Sequence, residues 1–482
     1  MALSLSSRLS KMNSLKEFEE KYHAAGQGHV FKYWSELTGK EQKDYLVQLN
    51  NIDLERSLRA WSPALCNNAE KTDLTQATAI DGTNLKGDEL SEFSKQGERI
   101  LAEGRIAALT VAGGQGTRLG HVGPKGTYKC TPLSEKPLFQ LFAETLYYYS
   151  QKYGSFFEWF IMTSEANHQE TEGFFAKNHY FGYPREKIHL FKQGMLPVFG
   201  RDGKFLLESK NKIAMSPDGH GGCLQALKKS GLLQLMSTEG IYYLSYFQID
   251  NPLVYCLDPT FLGLHENAGA EMSSKAVSKV SWDEKVGTFL RDGGRIKVVE
   301  YSDIPIEVAQ LQDENGDLLH GLGSIAIHLI NRTFIESLVS EDNNDLPYHR
   351  AHKAVPCLNE IGELMHSAEP NGIKLESFIF DALHRAKNSI IYKISREEEF
   401  GPIKNKIGVD SIISSHELQM TRSCRWVDLA NIPRETDRIE ISPSFAPTSH
   451  EFICKSAKMK FPIPLKDDIV LEINGLQEIE KT

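Results

Sequence analysis

Gly113, Gly114 and Gly116, followed by Arg118 and Lys125, have the types and spacing to hold a phosphate chain. The run Leu109-Thr-Val-Ala-Gly-Gly-Gln-Gly-Thr-Arg-Leu-Gly120 is followed closely by Pro124-Lys125-Gly126. A strand over Ile106 to Val111 would run into Gly113, Gly114 and Gly116. With no side chains there, backbone N–H groups can come close to phosphate oxygens, and a following helix N-terminus would add favourable partial charge. Arg118 and Lys125 would bring fixed positive charge to a triphosphate. Two other phosphate loops fail on spacing. The dinucleotide fingerprint G-x-G-x-x-G breaks at Leu119, with Gly120 one place late, and no window fits the Walker pattern G-x-x-x-x-G-K-[ST].

The elements around this loop read as an α/β sheet. Between residues 104 and 400 short apolar runs alternate with amphipathic stretches. Ile106 to Val111, Trp159 to Met162, Ile188 to Phe191 and Ile241 to Ile249 read as strands, and Leu138 to Tyr149 as a helix. Strands alternating with helices place ligand loops at strand ends. Residues 1–103 read as a helical N-terminal domain, with His29, Val30, Tyr33, Trp34 and Leu37 near helical spacing. Residues 401–482 read as a small β-rich C-terminal domain with Pro-rich turns such as Phe461 to Leu465.

Bulk properties narrow the partners. The chain of 482 residues is long enough for more than one domain, and its net charge of -10 argues against nucleic-acid binding. Seven scattered cysteines without a CxxC pair suit reduced thiols in the cytoplasm. No apolar run approaches the ~20 residues that span a membrane. Met1 to Lys16, with Arg8, Lys11, Lys16 and no acid, suits a frayed terminus better than a transit peptide.

A G-x-G-T-R loop with Pro-Lys a few residues later resembles the signature of sugar-phosphate nucleotidyltransferases. Further segments carry the resemblance almost end to end: Ala25 to His29, Lys192 to Pro197, Ser216 to Gly222, Asp250-Asn251, Val298 to Ile304, Pro370 to Lys374, Phe378 to Asp381, and Arg396 to Phe400 with Lys404-Asn405. The chain resembles the UDP-sugar pyrophosphorylases, and within them the UDP-N-acetylglucosamine branch. That resemblance implies a central, mixed-sheet, Rossmann-like nucleotidyltransferase domain of the GT-A-like kind, flanked by N- and C-terminal domains. It implies in-line attack of a sugar 1-phosphate on the α-phosphorus of UTP, giving a UDP-sugar and pyrophosphate with no covalent enzyme intermediate. Such chemistry asks the protein to position two anions and neutralise their charge.

The resemblance also implies roles. Gly113, Gly114, Gly116 and Thr117 would cradle the nucleotide, Arg118 would hold the departing β,γ-phosphates, and Lys125 would act near the α-phosphate. Gln193 and Gly194 would read uracil, with Met215 and Pro217 lining the base pocket. Gly219, His220 and Gly221 would form a second loop between base and sugar. Asp250 would hold Mg²⁺, a hard cation suited to oxygen ligands, and would stand beside the sugar with Ser324. Glu300 would bond sugar hydroxyls, Phe378 and Phe380 could contact the sugar or fill core, and Lys404, with Lys374 nearby, would reach the phosphates.

Three positions depart from the N-acetylglucosamine branch. His220 stands where an Asn is usual between the glycines, and Ser324 and Ile327 replace two further Asn residues. Similarity along the chain favours N-acetylglucosamine 1-phosphate, whereas these changes favour glucose 1-phosphate or a relaxed enzyme. A non-catalytic UDP-sugar sensor is a reading of another class, disfavoured by the full set of Arg118, Lys125, Asp250 and Lys404. His349-x-x-His352 has a metal-like spacing without an evident third ligand and reads as a helix or loop pair. Arg396 to Glu399 reads as a solvated charge run that could help place Lys404.

Overall fold

Ile106–Val111 is a continuous run of Ile, Ala, Leu, Thr and Val, and it forms a strand buried along nearly its whole length. A strand buried on both faces needs neighbours on each side. Tyr243–Gln248 lies parallel on one side and Trp159–Thr163 parallel on the other, with Ile188–Lys192 next outward. The computed structural model describes residues 15–62, 78–79, 87–340, 346–461, 464–466, 468–472 and 475–478. Met1 to Ser14, including the basic residues Arg8 and Lys11, and Pro462-Ile463 of the Pro-rich turn lie outside the described residues.

The parallel strands belong to a ten-stranded mixed sheet. Leu322–Asn331 pairs antiparallel with Tyr243–Gln248 and with Met272–Ser278, and Ser389–Lys393 adds in parallel to the latter. Helix Leu138–Tyr153 covers the sheet with Phe139, Phe142, Leu146 and Tyr149, a helical repeat of apolar residues. It ends at Gly154, whose left-handed φ of 74° stops the helix without a Cβ penalty.

The chain falls into two compact units, each discontinuous in sequence. The larger draws on Thr72–Gln193, Cys223–Asp345 and Phe380–Thr482 and contains the ten-stranded sheet. The smaller draws on Met1–Lys71, Gly194–Gly222 and Leu346–Ile379. Residues 194–222 and 346–379, which sequence reading puts with the catalytic segment, therefore group with the N-terminal helices. In the smaller unit, helices Leu15–Ala24, Gly39–Asn51 and Leu54–Trp61 bury Tyr22, Tyr45 and Leu49 with Phe199, Tyr348 and Leu375. Two of these helices start on side-chain caps, Thr38 and Asp53. His29 and Trp34 sit in 3₁₀ turns, Gly28–Phe31 and Trp34–Glu36, where a longer helix was expected.

The C-terminal segment is more helical than its sequence suggests. Beside a three-stranded sheet it contains helices Ile412–Leu429 and Ser449–Ser456. Ile412–Leu429 begins in a Ser411/Ser414 capping box, and polar Ser415, Gln419 and Ser423 are buried on the same stripe as Trp426. Polar residues on the buried face hide the apolar period on which sequence reading relies.

One buried group makes stability depend on pH. His265 is inaccessible to solvent, with Nδ1 2.6 Å from Ser273 Oγ and Nε2 2.7 Å from Asn331 Oδ1. Burial pushes its imidazole down to about 4, partly offset by the Asn331 bond. The unfolded chain takes up this proton below about 6.5, so the stabilising contribution is present above that pH and is lost as pH falls through 4. The full loss is roughly 3 kcal/mol. Thermal melts between pH 7 and 4 should show a shallower decline for His265→Gln than for the wild type; parallel declines would assign the acid limb to other groups.

Candidate functional site

The glycine loop is held in shape by its own backbone. Gly116 N–H donates to Gly123 O at 3.0 Å and Lys125 N–H to Gly114 O at 3.1 Å, so the chain doubles back and brings Lys125 beside the strand end. Fully buried Asn167 donates from Nδ2 to Ala112 O at 2.9 Å and to Gly114 O at 3.3 Å, while its Oδ1 accepts from Ser164 N–H at 2.8 Å. A Cβ on Gly113 would come 3.0 Å from Gln193 Oε1, so the predicted nucleotide loop and the predicted uracil reader are close together. A Cβ on Gly114 would meet nothing within 4 Å. Internal packing does not require that glycine, which leaves its face open to a ligand. Thr117 and Arg118 are exposed in the turn Thr117–Leu119.

Asp250 follows Tyr243–Gln248, the parallel neighbour of the glycine-loop strand. The chain runs outward from Ile106–Val111 in one direction and returns on its other side with Tyr243–Gln248. The carboxyl ends of these two strands thus form a topological switch point, where α/β sheets bind ligands. There Lys125 Nζ lies 3.3 Å from Asp250 Oδ2, each side chain 15% exposed. A cleft in the same unit is lined by Asp250, Lys285, Glu300, Ser324, Ile327 and Lys404. Four residues singled out from sequence, Asp250, Glu300, Ser324 and Lys404, therefore converge, together with Ile327. Lys404 is fixed through its backbone: Ile403 N–H donates to Asp250 O at 2.8 Å, and Lys404 N–H to Asp410 O at 2.7 Å.

Arg396 to Glu399 is not the solvated charge run expected. Glu399 is buried against Lys275, Glu398 accepts from Tyr255 Oη at 2.9 Å, and Arg396 pairs with Glu284 at 2.7 Å. Partners distant in sequence make this burial possible, so local composition could not show it. Phe380, which could contact the sugar or fill core, is 7% exposed in the 3₁₀ turn Ile379–His384 beyond the strand Gly372–Ser377, as a core residue would be.

The second glycine loop belongs to the smaller unit. Met215–Pro217 pairs antiparallel with Met195–Pro197, and Asp218 N–H donates to Gly194 O at 3.1 Å. Asp218 is fully buried and lies 3.3 Å from Arg56 Nη2; a Cβ on Gly194 or Gly222 would overlap its carboxylate. Gly219 has φ +85°, and a Cβ there would collide with the Ser377 backbone, as one on Gly221 would with Phe378. The His220 ring stacks on Phe378 at 5.2 Å and accepts at Nδ1 from Ile379 N–H at 3.2 Å. Burial, with the charge of His349 adding to it, pushes His220 down to about 4, so the ring is neutral near pH 7 and carries its hydrogen on Nε2. Lys374 faces the same side of its strand as Glu376, at the register of Ala351. His349 and His352 are three apart on a strand, Tyr348–Lys353, and so point to opposite faces. They form neither a helix pair nor a metal pair.

Two residues of this arrangement escaped sequence reading: Asn167 had only a turn-like Ser164-x-x-Asn spacing, and Lys285 carried no signal. Asn251 was legible as the neighbour of Asp250 but without a role. Among the described residues no group of three or more His, Cys, Asp or Glu converges on a metal position. Asp250 offers one carboxylate to the cleft, which suits a hard cation that takes its remaining ligands from water and phosphate oxygens.

Comparison with known proteins decides the family. Residues 62–445 match the model of the UTP–glucose-1-phosphate uridylyltransferase family. The chain belongs to this family. It is 35% identical over 420 residues to UDP-N-acetylhexosamine pyrophosphorylase-like protein 1 of Xenopus tropicalis, covering 83% of this chain and 81% of that protein. It is 33% identical over 467 residues to UDP-N-acetylglucosamine diphosphorylase 1 of Arabidopsis thaliana, covering 91% and 90%. The solved structure of the Trypanosoma brucei uridine diphosphate N-acetylglucosamine pyrophosphorylase superposes with a TM-score of 0.77 at 25% identity, covering 93% of this chain and 96% of that one. The chain is thus a nucleotidyltransferase of the uridylyltransferase type, on a mixed α/β fold, and within its family it groups with the UDP-N-acetylglucosamine branch. Among the described residues no helix is long and apolar enough to cross a membrane.

Proposed function

We propose that this uridylyltransferase joins UTP to N-acetylglucosamine 1-phosphate with Mg²⁺ bound, releasing pyrophosphate. The supporting observation is the meeting of Lys125 and Asp250 at the switch point, in a chain whose relatives of similar length carry that activity in their names. A phosphate oxygen of the sugar phosphate attacks the α-phosphorus of UTP in line with the departing pyrophosphate. No proton need move. The chain's task is to align two polyanions and offset their charge. Gly113, Gly114, Gly116 and Thr117 receive the phosphate chain, Arg118 follows the departing β,γ-phosphates, and Lys125 faces the α-phosphate. Lys404 brings a second cation, with Lys285 and Lys374 as further positive charge. Gln193 and Gly194 read uracil, since a side-chain amide offers both a donor and an acceptor, and Met215 and Pro217 flank the base. Glu300 accepts from sugar hydroxyls. Asp250 holds Mg²⁺, which when bound screens the phosphate charge.

A second reading, glucose 1-phosphate, draws on Ser324 and Ile327. Both line the cleft where amides would otherwise read an N-acetyl group, and Ile327 is apolar. Pyrophosphate release from UTP with glucose, N-acetylglucosamine, galactose and N-acetylgalactosamine 1-phosphates separates the two. A preference for N-acetylglucosamine supports the proposal, a preference for glucose overturns its sugar, and no release with any sugar replaces the enzyme by a sensor.

His220→Asn is expected to raise kcat/KM for the N-acetylated sugar relative to glucose about 10-fold, the scale of one hydrogen bond made or lost. His220 is a neutral donor at Nε2 alone, whereas an Asn amide both donates and accepts. An unchanged ratio of the two kcat/KM values would remove His220 from sugar recognition.

A further inference from the structure

Lys275, in the larger unit, is fully buried, where a lone ammonium would be very costly. Its Nζ lies 2.6 Å from Asp258 Oδ2 and 2.7 and 2.5 Å from the two carboxylate oxygens of Glu399. Asp258 also caps the helix Pro259–Asn267, so its position is set independently. Glu399 is held from a third side by Tyr255 N–H at 3.3 Å. Burial pushes the Glu399 carboxyl up to about 7 against the pull of Lys275, so the acid is retained there at an electrostatic cost.

From this cluster a short chain of contacts leads to the cleft. Asn251 Nδ2 donates to Glu399 O at 2.6 Å, and Asn251 Oδ1 accepts from Gly401 N–H at 3.1 Å. Two residues on, Ile403 N–H bonds Asp250 O, and Lys404 enters the cleft lining. Lys275 also stands opposite the bulge of the cleft strand: Ser274 pairs with His328 and Ala276 with Ser324, leaving Ile325, Ala326 and Ile327 against this one residue. Ala326 adopts φ +55° there, a strained conformation for a residue with a Cβ.

We propose that Lys275, Glu399 and Asn251 are positioning residues for uridylyl transfer: the buried ion cluster seats segment 399–403 on Asp250-Asn251 and thereby sets where the Lys404 ammonium stands. The inference rests on the reading of Lys404 as a cation acting on the reacting phosphates.

The test is a double-mutant cycle on the full chain, with UTP and the best sugar 1-phosphate. Glu399→Gln leaves Lys275 its Asp258 partner, so no buried charge is stranded. It should lower kcat about 10- to 100-fold, the cost of a small misplacement, with KM for both substrates within about threefold and a melting temperature near that of the wild type. Combined with Lys404→Ala, it should lower kcat no further than Lys404→Ala alone. Asn251→Ser, which shortens the link without touching the ion cluster, should behave in the same way and serves where Glu399→Gln does not fold. Losses that multiply in the double variants, or an unchanged kcat in Glu399→Gln and Asn251→Ser, overturn the inference while leaving the reading of Lys404 in place. An unchanged kcat in Lys404→Ala overturns both.

Discussion

Lys125→Ala is expected to lower kcat about 100- to 1,000-fold, the scale of removing one preorganised charge-stabilising group, while KM for UTP stays within about threefold. The backbone of Lys125 is fixed by the Gly114 carbonyl, and its ammonium rests 3.3 Å from Asp250. An ammonium held at a strand end needs no reorganisation when charge builds on the α-phosphate, so its contribution falls mainly on the transition state. A second consequence follows from the same distance. Without Lys125, the Asp250 carboxylate loses its competing cation, and the Mg²⁺ concentration for half-maximal activity should fall. Steady-state kinetics across UTP and Mg²⁺ series measure both effects. Equal losses in kcat and UTP affinity would give Lys125 a ground-state role instead.

Asp250→Asn is expected to cost a similar 100- to 1,000-fold in kcat and to move the Mg²⁺ requirement in the opposite direction. The amide is isosteric, so Ile403 can still bond the Asp250 carbonyl and the local fold should persist. What disappears is the negative charge facing both Lys125 and the metal position. A hard cation binds a neutral amide oxygen far more weakly than a carboxylate, so half-maximal activity should need more Mg²⁺. Opposite displacements in the two variants would identify Asp250 as the shared partner of lysine and metal. A wild-type Mg²⁺ titration in Asp250→Asn would refute the metal assignment.

The parts of the site legible in sequence were those whose chemistry depends on nearest neighbours along the chain. The glycine loop could be read because close backbone approach needs missing side chains at set intervals, and because Lys125 follows within one turn of chain. Asp250 could be read because it ends an apolar strand. Asn167 could not, since the carbonyls it holds, Ala112 and Gly114, lie far back in the sequence, and Lys285 could not, since only the folded cleft places it beside Asp250 and Lys404. The burial of Glu399 was hidden for the same reason: its partners Lys275 and the Tyr255 N–H lie more than a hundred residues away, and a run of charges looks solvated until such partners are in place. The helix Ile412–Leu429 escaped because its buried stripe includes serines and a glutamine, satisfied by neighbours outside the helix such as the Cys130 carbonyl.

The sequence by itself determined the family, the reaction class and the strands that end at the phosphate loop, because apolar period, glycine spacing and motif order are local properties. Tertiary structure alone decided which of the candidate residues share a cleft. Asp250, Glu300, Ser324 and Lys404 come together only because the chain returns beside the strand Ile106–Val111 and because Asn251 and the buried Lys275 cluster seat a segment some 150 residues downstream. Tertiary structure also fixed the neutral state of His220, since the packing that lowers its proton affinity comes from Phe378 and His349, far along the chain. Charge states and convergent geometry depend on three-dimensional neighbours and on the dielectric they create, and neither is written in residue spacing.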